Sequence, residues 1–528
     1  MRGTRSHTGE ASGAGSGRHA GLSAGGAAIL VALAACLAYA NSFGGLFVMD
    51  DVSEVRRNPA MRSLLPPWRA MFVGHRMPAR PIPYLSFAVD HAIWADDPFG
   101  YHLTNLAIHA AAAVTLFGVV RLTLLSPRLG GRYADRATLL AAIVAAAWAV
   151  HPLGTQAVTY VYQRIESLTG LLMLAALYAL ARSLAGESRR WLALATLATA
   201  SAMASKETAV VLPVLLAAYD WLFSGEGLAG LRRRRLFYAS LAATWLVLAA
   251  VLVSQAGRYG EFHEPVHRPL AYLLTQPRVI LHYLRLAIVP TPLCFDYVWR
   301  TAETPAEFLP SLCWLLVPLG ATMLGLVRWR PWAWLGVAFF LLLAPTSSIM
   351  PVIALAAEHR MYLPLAAVVA TIVLVIDGMV GRLVTRGSGP LPAWRSAAPA
   401  AAVVAAVVWI GTLAAMTRAR NTVYATPGGI WLDVLAKQPV STRALWNLAA
   451  TCVDFGEIDS ALRYADEAAD INPALPIYRD LAESRRDASD LPTAIRLLEH
   501  AVERGRGLRG EADPVVRDNE TLLRELRR

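Results

Sequence analysis

Residues 25–59 read GGAAILVALAACLAYANSFGGLFVMDDVSEVRRNP. An uncharged run of alanine and aliphatic residues, long enough to cross a bilayer as a helix, ends in two adjacent carboxylates, Asp50 and Asp51. A carboxylate at the bilayer centre costs roughly 2.5–3.5 kcal/mol on insertion scales, and two cost about twice that. The pair therefore belongs at the water boundary, where a membrane enzyme could present a base to a soluble acceptor.

The rest of the chain agrees with a membrane setting. Of 528 residues, 56% are hydrophobic and only 16% charged, where a soluble protein carries about a quarter charged residues. Lysine and arginine number 49 against 38 acids, a net charge of +11. In a soluble protein that excess would suggest nucleic acid. Here the basic residues sit between apolar runs, as the positive-inside rule requires, and no nucleic-acid motif accompanies them. No nucleic-acid partner is expected.

Apolar runs lie near 25–46, 103–124, 138–156, 166–185, 189–204, 208–224, 236–255, 309–327, 332–350, 362–384 and 397–416. Read as about eleven spans with the N-terminus inside, they put five basic groups on one side. These are Arg121/Arg128/Arg132/Arg136, Arg182/Arg189/Arg190, Arg232–Arg235, Arg328/Arg330 and Arg382/Arg386/Arg395. The C-terminus then lies outside. The run 271–290 carries Arg278, His282 and Arg285 on one helical side and reads as an interfacial amphipathic helix on the outer surface, with a re-entrant helix as the alternative. The outward segments 47–100 and 256–308 are long, and the other outward turns are polar. Any chemistry is expected on that face.

The expected architecture is an all-α polytopic membrane protein with a C-terminal helical-repeat domain. Residues 1–24, rich in Gly, Ser and Ala, read as a disordered cytoplasmic tail. Residues 25–416 form the transmembrane domain and 417–528 a soluble domain. Ala38-Tyr39-Ala40 could pass for a signal-peptidase site, but the first helix is read as retained. Segment 442–475 places Leu448, Ala449, Gly456, Ala461, Ala468 and Pro473 as a tetratricopeptide helix pair does. Leu481, Ala482, Ala494 and Ala501 repeat the pattern one repeat length later. Flanking helices at 426–438 and 513–527 are expected to complete the stack. The four cysteines, Cys36, Cys294, Cys313 and Cys452, show no metal-ligand spacing; a Cys294–Cys452 disulfide is the alternative to free thiols. High Ala and Arg suggest a GC-rich bacterial genome, hence the bacterial inner membrane.

Several stretches look familiar together. They are the Asp pair after the first helix, then ARPIPYLSFAVDHAIWADDPFGYHLTNLAIHA, AVHPLGTQAVTYVYQRIESLTGLL, ASKETAVVLPVLLAAYDW, LLTQPRVILHYLRLAIVPTPLCFDY and AAEHRMYLPLA. Their order and spacing over about 40–480 resemble the membrane-and-tetratricopeptide-repeat proteins of the GT-C glycosyltransferase superfamily, whose bacterial members are similar to the eukaryotic O-mannosyltransferases. The resemblance implies transfer of a sugar, mannose among the candidates, from a polyprenyl-phosphate carrier to an acceptor on the outer face. That acceptor is a protein Ser/Thr or a cell-envelope glycan, which the repeats could bind.

An inverting transfer needs a carboxylate to take the acceptor proton. The family's first-loop acid matches Asp50, with Asp51 as the alternative or as its supporting neighbour. The departing polyprenyl phosphate gathers negative charge, which Arg and Lys can stabilise. Arg360 is the first choice for that phosphate, with Lys206 and Arg164 behind it. Arg80 either joins them or neutralises a carboxylate. Glu166, Glu207, Glu358, His359 and Tyr362 are assigned to support or to the sugar. Relatives often carry Gly-Arg-Ala-Asp where this chain has Gln163-Arg164-Ile165-Glu166, so Glu166 reads as supporting. His102, Asn105 and His109 share one face of the second helix and read as interior hydrogen-bonding groups. An Asp pair without a clear third ligand points to no metal cofactor, although some members of the superfamily use a divalent ion. No Walker loop or dinucleotide fingerprint is present. The competing readings are a non-enzymatic membrane scaffold built around the repeats and a transporter.

Overall fold

The computed structural model describes residues 22–73, 80–254, 267–385, 393–473 and 475–528. The tail read as disordered lies outside these residues up to position 21, as does Arg386. The described chain is all-α, with no strand among the described residues.

The first helix shows why the bundle belongs in lipid. Helix Ala24–Tyr39 starts where the Ser23 side chain accepts the Gly26 amide at 3.1 Å. Its inward stripe is small and beta-branched: Ala27, Val31, Ala35 and Ala38 are buried. Its large side chains face outward, with Ile29 62% and Leu37 68% exposed. Small residues let neighbouring backbones approach, and lipid tails solvate the large ones.

Among the described residues seven helices are long and apolar enough to cross a membrane: Ala24–Gly44, Pro98–Leu124, Val161–Leu184, Arg235–Val253, Pro305–Val327, Pro364–Thr385 and Trp394–Tyr424. An eighth is Ala137–Ala149 with Pro152–Val158, bent by 54°; Pro152 lacks the N–H that would continue the helix. The chain is a multi-pass membrane protein. Three of the eleven runs expected to span fold into helices shorter than the rest. Runs 189–204, 208–224 and 332–350 become helices Arg190–Met203, Leu212–Phe223 and Ala333–Leu343, of 14, 12 and 11 residues. At 1.5 Å per residue these reach about 17–21 Å, short of a hydrocarbon core of about 30 Å. The polar turn Ser205-Lys206-Glu207 separates the first two, and Pro345 follows the third.

The two ends of the bundle differ. At the arginine-rich end Arg128 donates to the Trp329 carbonyl at 2.9 Å and covers its ring. Arg136 pairs there with Asp377 at 2.9 Å. The opposite end gathers the first loop, the 150–163 turns, the 205–208 turn, segment 290–304 and turn Glu358–Met361. The run expected to be amphipathic is helix Pro269–Ile288. Its Arg278 and His282 rest on Trp299, and Arg285 donates to the Thr291 carbonyl.

The boundary expected at 416 falls inside a helix, Ala393–Asn421, that runs on unbroken. Helix Gly429–Lys437 follows, then the pairs Thr442–Asp454 with Ile458–Ile471 and Ile477–Asp487 with Leu491–Arg509, closed by Pro514–Leu526. Leu448, Ala449, Ala461 and Ala468, and their counterparts Leu481, Ala482, Ala494 and Ala501, are all buried. One apolar core joins this region to the loop end, uniting Phe47, Val48, Tyr160, Phe295, Trp431, Ala444 and Leu448. All four cysteines are free thiols, so the disulfide alternative is excluded. The Cys294 thiol donates instead to the Asp296 carbonyl at 3.0 Å.

Candidate active site

Asp50 and Asp51 sit at the start of the irregular helix Asp51–Arg56, and their environments differ sharply. Asp51 is fully buried. Its carboxylate accepts the Val48 amide at 3.0 Å and the Tyr162 amide at 2.6 Å, stitching the first loop to the 160–163 turn. Asp50 is only partly buried. Its Oδ2 accepts the Tyr160 hydroxyl at 2.8 Å, and the same hydroxyl accepts the Asp50 amide at 3.1 Å. Burial raises the Asp50 carboxyl above its ordinary value, against the opposing pull of Tyr160, Arg443 and Arg80.

A small cleft with about 20 Å³ of free space lies between Lys206 and Arg360. Glu166, Lys206 and Arg360 give it polar walls, and Met173, Leu342 and Leu363 an apolar floor. Lys206 is extended (φ −157°, ψ 142°), so it and Glu207 point to opposite sides. The Lys206 ammonium pairs with Glu166, while Glu207 pairs with Arg80 at 3.3 Å. The Arg360 guanidinium is anchored by the Leu355 and Ala354 carbonyls at 3.2 and 2.6 Å. Among the described residues no carboxylate lies within ion-pair distance of it. Arg360 and the Glu166-paired Lys206 thus share a cleft with Met173, Leu342 and Leu363 and with Thr208 and Thr346. That pairing suits a phosphate on a lipid chain.

His359 adjoins the same charges. Its backbone amide donates to the Gln156 side chain at 2.9 Å, and its ring nitrogen meets the same oxygen at 3.2 Å. Burial, with Lys206, Arg360 and Arg80 nearby, pushes its imidazole below the usual value and favours the neutral ring. Arg80 feels both Glu207 and Glu166 on the cleft side and lowers Asp50 on the other. Asp50 itself does not line the cleft; Arg80 is the link between the two.

Three residues assigned to this site point elsewhere. Arg164 has no exposed surface. It pairs with Asp90 at 2.5 Å, donates to Asn105 at 2.6 Å and to the Tyr101 carbonyl at 3.0 Å, and lies over the Phe87 ring. Glu166 stands two positions later on the same helix, about 200° around it, and so reaches the cleft when Arg164 cannot. Glu358 is buried against segment 293–297, accepting the Cys294 amide at 2.6 Å and the Tyr297 hydroxyl at 2.8 Å. Tyr362 packs in the bundle, its hydroxyl 2.9 Å from His109 Nδ1. Asn105 and His109 are interior hydrogen-bonding groups.

Sequence reasoning missed Tyr160, Asp90, Gln156 and Arg443. Asp90 carried a signal, an acid inside an apolar stretch, which demands a buried partner. Tyr160 carried none. Among the described residues no group of three or more His, Cys, Asp or Glu is placed to hold a metal ion.

No family model matches the chain. Among curated proteins it is similar to protein O-mannosyl-transferase TMTC4 of Homo sapiens, 28% identical over 225 residues, covering 38% of this chain and 30% of that protein. It is 32% identical over 221 residues to TMTC1 of Mus musculus, covering 38% of this chain and 22% of the relative. With Tmtc2 of Drosophila melanogaster it shares 30% over 288 residues, half of this chain and 29% of the relative. The matches therefore span less than a third of each relative's length. The solved structure of ArnT from Cupriavidus metallidurans, bound to undecaprenyl phosphate, aligns over 81% of both chains with a TM-score of 0.39 and 13% identity, a likeness too loose to argue from.

Proposed function

We propose that this chain is a membrane glycosyltransferase of the GT-C type. It moves a sugar, mannose in the reading favoured by its similarity to O-mannosyl-transferases, from a polyprenyl-phosphate carrier to an acceptor hydroxyl, with inversion. The observation that carries the proposal is the cleft that Lys206 and Arg360 line together with Met173, Leu342 and Leu363. The two cations take the phosphate and the apolar side takes the start of the prenyl chain.

In this reading the acceptor oxygen attacks the anomeric carbon. The bond from that carbon to the phosphate oxygen breaks, its electron pair stays on the phosphate, and Asp50 takes the acceptor proton. The growing phosphate charge is stabilised by Arg360 and Lys206, while Glu166 holds Lys206 in place. Glu207 and Arg80 connect cleft and base, and His359, held neutral, offers a hydrogen bond to the sugar. Asp51 fixes the loop that carries Asp50. The loop end faces outward, away from the arginine-rich end, in a bacterial inner membrane. The acceptor is a protein Ser/Thr or an envelope glycan.

The test uses membranes containing the full-length protein and radiolabelled polyprenyl-phosphate sugars. Time-dependent movement of label from lipid to an acceptor supports the reading, and the best-used sugar names the donor. Membranes with abundant folded protein that transfer no label from mannose or other polyprenyl-phosphate sugars would sink it.

A further inference from the structure

Segment 293–297 touches three parts of the molecule at once. Glu358, two positions before the cleft residue Arg360, holds its Cys294 amide and Tyr297 hydroxyl. Its Phe295 ring meets Tyr160, the residue that holds Asp50, with centroids 5.5 Å apart. From the C-terminal side Lys437 donates to the Leu293 carbonyl at 2.5 Å, and Arg443 pairs with Asp296 at 3.2 Å. Phe295 also packs edge-on against Trp431 at 5.4 Å. Lys437 is itself held by Asp433, which pairs with Arg420. The C-terminal helices are thus clamped onto the segment that buttresses Asp50.

We propose that Arg443, through its pairing with Asp296, is a positioning residue for Asp50, so that the C-terminal helices support the reaction centre through segment 293–297 and are not a tethered accessory. This rests on the transfer reading above for its consequence, but not for its geometry. Tyr160 hydrogen-bonds Asp50, and the charges of Asp51, Arg80 and Arg443, with the Tyr162 hydroxyl, act on it from a distance. Of the two cations, one comes from the first loop and the other from the helical hairpins. Arg443 is exposed and touches neither Asp50 nor the cleft, so it acts by its charge and by the loop that it holds.

The sign follows from the charge. Arg443 favours the ionised carboxylate, so its removal makes Asp50 hold its proton to a higher pH. The test measures carbodiimide labelling of Asp50 against pH in the full-length protein by peptide mass spectrometry, because only a protonated carboxyl reacts. Transfer is followed in parallel. In Arg443→Ala the labelling midpoint should rise by about 0.5–1 pH unit. The acid limb of transfer should rise with it, lowering kcat several-fold near that limb and leaving donor KM unchanged. Arg443→Lys should restore both. Coincident labelling curves for wild type and Arg443→Ala overturn the proposal, whatever transfer does. So does a loss of transfer through donor KM alone. A shifted labelling curve in a protein that transfers nothing would keep the proposed coupling and sink only the glycosyltransferase reading.

Discussion

Asp50 and Asp51 are neighbours in sequence with opposite surroundings. Asp51 satisfies buried amides, and substituting Ala would strand the Val48 and Tyr162 N–H groups at about 1–3 kcal/mol each. Asp51→Ala should therefore lower the thermal midpoint of detergent-solubilised protein, which can be followed by loss of helical signal. Asp50 keeps an open side and a carboxyl raised by burial. A base must be ionised to work, so transfer should fall as pH drops through that raised value, with the midpoint of the acid limb above the ordinary 3.8. A pH–rate profile measures this directly. Arg164 makes the converse case. Arg164→Met would leave Asp90 charged and unpaired in the bundle, a loss of about 3–5 kcal/mol. The double variant Arg164→Met with Asp90→Asn should recover most of it. Donor KM should not respond to either, which separates a buried strut from a phosphate ligand.

At the scale of elements, short turns decide which residues meet. Glu358, His359 and Arg360 lie in one 3-10 turn, where successive side chains point about 120° apart. One faces segment 293–297, one Gln156 and one the cleft. Adjacency in sequence makes the three look like one cluster, and it makes Arg164 and Glu166 look alike. Spacing along a regular helix or repeat was legible, as the register of the C-terminal hairpins shows, because buried small residues recur at a fixed period. The direction of side chains in irregular turns was not, since it depends on backbone angles that local composition does not encode. The hairpins offer a clean test. Gly456 ends one helix in the left-handed region (φ +77°), and Ser489 holds the same place in the next repeat with φ +63°. A side chain there costs roughly 1–2 kcal/mol. Ser489→Gly should slow hydrogen exchange in helices Ile477–Asp487 and Leu491–Arg509, and Gly456→Ala should speed it in the preceding pair.

For the whole molecule, composition and charge placement were enough to read the membrane class and the two unlike ends. They were not enough for span lengths, because three apolar runs include turn residues that only folding reveals as breaks. Nor did they show that the C-terminal helices share a core with the first loop. That contact joins residues as far apart in sequence as Phe47 and Trp431, with Tyr160 and Phe295 between them. The shared core sets the loop that carries Asp50 and the C-terminal helices side by side at one end of the bundle. The central claim is that Asp50 takes the acceptor proton there. It is tested by transfer from a radiolabelled polyprenyl-phosphate sugar in membranes holding equal amounts of wild type and Asp50→Asn. The account predicts a loss of about 10²–10⁴-fold in rate, with photo-crosslinking of the lipid carrier to the protein unchanged. Equal rates from the two proteins would contradict it.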